Sequence, residues 1–141
     1  MTTGLTDQER SVIEERITRL YHDLQAEAMN LNADGVLAYL RNVHNLGVMR
    51  DGAFFPTMES FMSPIGEGYA RQERLEEDIS EMRVQALARD AAVLIVDKTF
   101  TVYEKDGSTY TSPTVQTRVG ADVDGEWKFI HLHMSTPHQP E

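Results

Sequence analysis

Cysteine is absent from this 141-residue chain, which removes disulfides, thiolate nucleophiles and cysteine-held zinc or iron–sulfur sites. Long apolar runs are also missing; none approaches the roughly 18 residues that a membrane-spanning helix needs. Positive charge is scarce, with 13 Lys and Arg against 23 Asp and Glu and a formal net charge of −10. That balance disfavours nucleic acid, whose phosphates need clustered cations, and anionic membrane surfaces for the same reason. The stretch from Met1 to Arg10 lacks the basic-then-apolar pattern of a secretory leader, so a cytoplasmic location is the expectation. What is present, 40% hydrophobic and 26% charged residues, suits one domain with one core over residues 1–141.

The first third reads as helical. Ile13, Ile17, Leu20, Leu24, Ala28 and Leu31 recur at spacings of three and four, which traces one face of a helix over residues 7–31. Thr6 and Glu9 have the form of a capping box at its start. Tyr21 neighbours the apolar stripe, so its ring should pack and its hydroxyl should need a partner. A short second helix over 35–40 follows, capped by Asn32 or Asp34. Asp51-Gly52 between apolar runs signals a hairpin. A third helix should start at Pro56-Thr57 and carry Met58, Phe61 and Met62, with Pro64, Gly66 and Gly68 weakening its continuation.

After Leu75 the period shortens towards two. Residues 76–81 are ambiguous, because their charges also suit a helix. Residues 91–103 and 109–121 read as long strands rich in β-branched and aromatic side chains, joined by the turn at Lys105–Ser108. Asp124-Gly125 leads into a last strand, 126–135, whose alternate residues form two sets. Trp127, Phe129, His131, His133 and Ser135 point one way, and Lys128, Ile130, Leu132 and Met134 the other. Helices followed by a meander of antiparallel strands make an α+β pattern.

The most specific signature is Thr117-Arg118-Val119, then Asp124-Gly125-Glu126-Trp127, then His131-Leu132-His133 and Ser135. It resembles the ending of the association domains of calcium/calmodulin-dependent kinases, within the SnoaL-like group of the NTF2-like superfamily. Ala91-Ala92 before an apolar strand resembles them too, and the N-terminal half matches by pattern. The resemblance implies a cone: a strongly curved antiparallel sheet wrapped over a long helix, with an apolar cavity between them. It also implies homodimerisation through the outer face of the sheet. Trp127, Phe129, Leu94, Val96, Phe100 and Val102 are the expected apolar patch there. Family members include cofactor-free isomerases, cyclases and dehydratases, as well as proteins that only bind or assemble, so the fold leaves the function open.

By the same resemblance Arg118 faces the pocket, with Thr114 and Gln116 on its side of the strand, and Ile130, Leu132 and Met134 reach the cavity. The association domains carry a second arginine after the His-x-His, where this chain has Met134. A guanidinium in a low-dielectric cavity needs a counter-charge, which a carboxylate ligand or an internal partner such as Asp97 would supply. Asp97 shares strand parity with Thr99, Thr101 and Tyr103. If that face lines the cavity, Asp97 is a candidate general base and Thr99 a ligand contact; otherwise Asp97 is an ion-paired strand carboxylate. Tyr21 is a candidate oxyanion donor or a core tyrosine. His131 and His133 sit two apart, a spacing that offers two ligands without a third, so no metal and no cofactor are assigned. Met49, Phe54, Phe55, Met58, Phe61, Met62 and Met134 suggest an adaptable lining or ordinary core. The expected partner is a small apolar or carboxylate-bearing molecule, with Arg118, Gln116, Thr99, Tyr21 and Met134 as its contacts.

Overall fold

A computed structural model describes residues 4–137. The long helix α1 (Asp7–Met29) starts at the anticipated capping box, with the Thr6 hydroxyl accepting from the Glu9 amide and the Glu9 carboxylate accepting from the Thr6 amide. Its buried residues, Ile13, Ile17, Tyr21, Leu24 and Ala28, repeat at the spacing of one helix face. Leu31 falls beyond the helix end, with φ of 56°. Helix α2 (Ala33–Leu37) is capped by Asn32.

The hairpin at Asp51-Gly52 joins β1 (Val48–Arg50) to β2 (Ala53–Phe55). Helix α3 (Met58–Arg71) runs through Pro64 to its end, longer than the sequence suggests. Its start is held twice: Thr57 and Ser60 form a capping box, and the Asn42 carboxamide oxygen accepts from the Met58 amide. Met58, Phe61 and Met62 then enter the core, and Ile65 and Tyr69 pack against it. Packing of this face outweighs the propensity cost of Pro64 and two glycines. At Gly66 a Cβ would stand 3.3 Å from the Ala33 Cβ, so the small residue lets α3 approach α2.

Four long strands follow: β3 (Gln72–Ala88), β4 (Ala91–Glu104), β5 (Thr109–Val123) and β6 (Glu126–Ser135). The ambiguous acidic segment is strand. The six-stranded sheet has the order β2-β1-β6-β5-β4-β3. It is mixed rather than wholly antiparallel, because β1 returns to pair parallel with β6. The last strand therefore lies inside the sheet. Register shifts between Ile79 and Glu81 and between Val119 and Gly120 add bends of the kind that bulges produce, and the sheet is curved and open, wrapped over α1.

Which face each residue takes differs from expectation in two places. On β4, Ala92, Leu94, Val96, Lys98 and Val102 are buried against the helices, whereas Ile95 and Asp97 face out. Of the apolar set assigned to an outer dimer patch, Leu94, Val96, Val102 and Phe129 are core, and Phe100 and Trp127 are half-buried against it. On β6, His131 pairs with Val119 and Phe129 with Gly120, so Ile130 is an extra residue. That bulge puts Phe129 and Leu132 on the same inner side, 0% and 1% exposed, and breaks the simple alternation.

Candidate functional site

Between α3 and the concave side of β3, β4 and β5 lies a cavity of about 320 Å³. Its apolar wall comes from Phe61, Met62, Ile65, Leu75, Phe100 and Val102. Strand alternation then drives polar groups into it. Thr114, Gln116 and Arg118 occupy successive inward positions of β5, all buried. Lys98 holds the inward position between Val96 and Phe100. Glu77 does the same between Leu75 and Ile79 on β3.

Arg118 is 5% exposed. Its Nε donates to Gln116 Oε1 at 3.0 Å. The guanidinium carbon sits 5.2 Å from the centre of the Tyr21 ring and 5.3 Å from that of Phe129, so two aromatic faces flank it. No other hydrogen bond or ion pair reaches its terminal nitrogens among the described residues. Burial lowers its pKa, opposed by Tyr21, Glu77 and Tyr69; an arginine nonetheless stays charged. The internal partner considered from sequence, Asp97, is on the opposite face of the sheet.

Lys98 Nζ and Glu77 Oε2 form a buried ion pair at 2.9 Å, with side chains 6% and 8% exposed. The ammonium also lies 5.4 Å from the Tyr21 ring centre. The second carboxylate oxygen, Glu77 Oε1, is buried and has no hydrogen-bond partner, and the same holds for the Tyr21 hydroxyl and Gln72 Oε1. Burial, and then the Glu77 charge, pushes the Tyr69 phenol up to about 12, against the pull of Arg118. Tyr69 is therefore a neutral donor beside a carboxylate and a guanidinium.

Of the residues singled out from sequence, Arg118, Gln116 and Met134 line the cavity together. Tyr21 forms the floor beneath the two cations without lining the cavity itself. Asp97 and Thr99 do not reach it. Asp97 is exposed, and the turn of β4 that carries Thr99 outward brings Lys98 and Phe100 inward. Ile130 and Leu132 also lie outside the lining. Phe61, Met62 and Met134 line it, whereas Met58 is core and Phe54 is exposed. His131 Nδ1 lies 2.8 Å from the Gly47 carbonyl oxygen, and His133 is exposed. No three potential metal ligands come together among the described residues.

Glu77, Lys98 and Tyr69 were not anticipated. A signal existed for the first two: each is a charged residue at an apolar parity, Glu77 between Leu75 and Ile79, Lys98 between Val96 and Phe100. Tyr69 carried none, since it follows the proline and glycines that argued against a helix.

Comparison with known proteins identifies the family and the fold. The family model for the calcium/calmodulin dependent protein kinase II association domain matches residues 58–138. No curated protein matches the chain. Among solved structures, an NTF2-like superfamily protein from Salmonella enterica superposes with a TM-score of 0.79 at 14% identity, covering 93% of this chain and 95% of that one. A candidate dehydratase from the NTF2-like family from Streptomyces avermitilis gives 0.78 at 11% identity, covering 92% and 99%. The association domain of the Caenorhabditis elegans kinase gives 0.71 at 18% identity, covering 93% and 100%. At these identities the structures show the NTF2-like α+β fold. No helix is long and apolar enough to cross a membrane among the described residues.

Proposed function

Because the chain belongs to the calcium/calmodulin dependent protein kinase II association-domain family, whose fold does not by itself fix activity, we propose that it binds a small carboxylate-bearing molecule in the cavity under its sheet, with residues 1–141 acting as one domain. The observation that carries this reading is Arg118: a buried cation whose terminal nitrogens have no acidic partner. An uncompensated buried charge is costly, and a bidentate carboxylate offsets that cost with two charge-assisted hydrogen bonds. Gln116 holds the guanidinium in place, and Met134 and Phe100 receive the apolar part of the ligand. If the site also performs chemistry, the proton acceptor is Glu77, which has one carboxylate oxygen without a partner and whose charge acts on Tyr69 and Arg118, in place of the outward-facing Asp97. Such chemistry is of the cofactor-free isomerase, cyclase or dehydratase kind.

A second reading, an oligomerisation module, is favoured by the family match and by the outer face of β4, where Ile95 is 44% exposed beside Val93. The two readings are compatible, since the ligand site and that face lie on opposite sides of the sheet.

The test compares hexanoate with hexanol, which share a chain and differ in charge. Hexanoate is expected to raise the Tm of the wild-type protein in a saturable way, and hexanol is not. Arg118→Met is expected to abolish the hexanoate shift while leaving the ligand-free Tm unchanged or higher, because it removes a buried unpaired charge. An equal shift in the variant would remove Arg118 from the site.

A further inference from the structure

The cavity is more cationic than one anchoring residue requires. Four cations, Arg50, Arg71, Lys98 and Arg118, line it together with a single carboxylate, Glu77. Glu77 is already taken by Lys98. The surplus stands out in a chain of net charge −10. Outside the cavity most basic side chains among the described residues find acids, Arg16 and Lys105 excepted: Arg10 pairs with Asp7, Arg41 with Asp124, Arg83 with Glu81 and Arg89 with Glu9. Among the described residues Arg50 and Arg71 form no salt bridge, and Arg71 Nη1 reaches only the Glu67 carbonyl oxygen, at 3.3 Å.

The placement is asymmetric. Arg118 is deep in the cavity. Arg71, at the end of α3, is exposed, and Arg50, on β1, is half-buried. Arg50 pairs with Met134, which pairs with Gln116. Two strand spacings therefore separate Arg50 from Gln116, and two residues of β5 separate Gln116 from Arg118, which puts the Arg50 and Arg118 backbones roughly 12 Å apart. Both residues line the cavity from these two positions, so a short ligand can run from one to the other. The Glu77 carboxylate repels a second negative charge near its own position, so a second anion is favoured at the rim.

Resting on the reading of Arg118 as an anion anchor, we infer that the ligand is a dianion, a short dicarboxylate. One carboxylate sits on Arg118, the other is held at the mouth by Arg50 and Arg71, and Phe100 and Met134 pack against the carbon chain between. Arg50 and Arg71 are then specificity-determining residues that select a second negative charge rather than supply the primary anchor.

Calorimetric titration at low ionic strength decides this, using succinate, glutarate, adipate and pimelate, each against the monocarboxylate of equal length. In the wild-type protein the best dicarboxylate is expected to bind about tenfold more tightly than its monocarboxylate. The advantage should shrink as salt is added, because the rim is solvated. Arg50→Gln with Arg71→Gln is expected to reduce it to within about threefold while monocarboxylate affinity holds. The exposed Arg71→Gln alone, with little risk to folding, should lower it part of the way. Equal binding of the paired acids by the wild type, or an advantage that survives the double substitution, overturns the dianion and leaves the anchor standing. Absence of binding by either class overturns both.

Discussion

Asp97 and Lys98 are neighbours in the chain and opposites in environment. Asp97 is exposed on the convex side of β4 and makes no ion pair among the described residues, while Lys98 is 5% exposed and locked to Glu77 on the concave side. The contrast extends along the whole strand. Leu94, Val96 and Val102 fill the core, whereas Ile95 is 44% exposed and Thr101 meets Thr111 across the outer surface at 3.1 Å. A charge is informative according to the side it falls on. A carboxylate on the wet side is ordinary, and an ammonium among core leucines and valines marks a place where the fold accepts a cost.

That contrast breaks most severely at the ion pair. Glu77→Leu or Lys98→Met alone leaves a buried charge without its partner and is expected to destabilise by about 3–5 kcal/mol. The double variant is expected to recover to within about 1 kcal/mol of wild type. Urea unfolding of the four proteins checks the cycle; additive losses would show that the two groups do not meet. The next effect separates adjacent apolar residues. Leu94→Ala is expected to cost about 2–5 kcal/mol, whereas Ile95→Ala and Asp97→Ala should stay within about 1 kcal/mol of wild type in the isolated chain. A large loss at Ile95 would show that its face is covered in solution, as the assembly reading requires.

A subtler effect comes from Tyr69. Its folded pKa is about 12 against an ordinary value of 10.0. Below pH 10 both folded and unfolded phenols keep their proton and Tyr69 adds no pH dependence. Above that, the unfolded phenol ionises first, so stability falls until the folded group titrates near 12. Absorbance titration at 295 nm should show one late-titrating tyrosine fewer in Tyr69→Phe than in the wild type; an equal late amplitude in the two proteins would place Tyr69 in water.

Much of the fold could be read from the residues because local rules agreed with the final packing. Thr6 and Glu9 close the expected capping box, the stripe from Ile13 to Ala28 is the buried face of α1, and Asp51-Gly52 and Asp124-Gly125 turn where anticipated, all with positive φ. Arg118, Gln116 and Thr114 share a face as strand parity requires. The failures have local causes. One residue inserted at Ile130 brought Phe129 from the expected outer set to the inner side, while Leu132 and Met134 kept their side, a change that no alternation rule foresees. On β4, Asp97 drew attention as the charge interrupting an apolar run, although the apolar parity itself carried Lys98. Tertiary contacts carried α3 through Pro64, and with it brought Tyr69 and Arg71 to the cavity.

The central claim, that the hollow beneath the sheet holds an anion on Arg118, is tested most directly by a crystal structure grown with hexanoate. The expected result is a carboxylate with both oxygens about 2.8 Å from the Arg118 terminal nitrogens, its tail against Phe100 and Met134, and the Glu77–Lys98 pair intact. A carboxylate bound elsewhere, with Arg118 hydrogen-bonded to the protein instead, would contradict it.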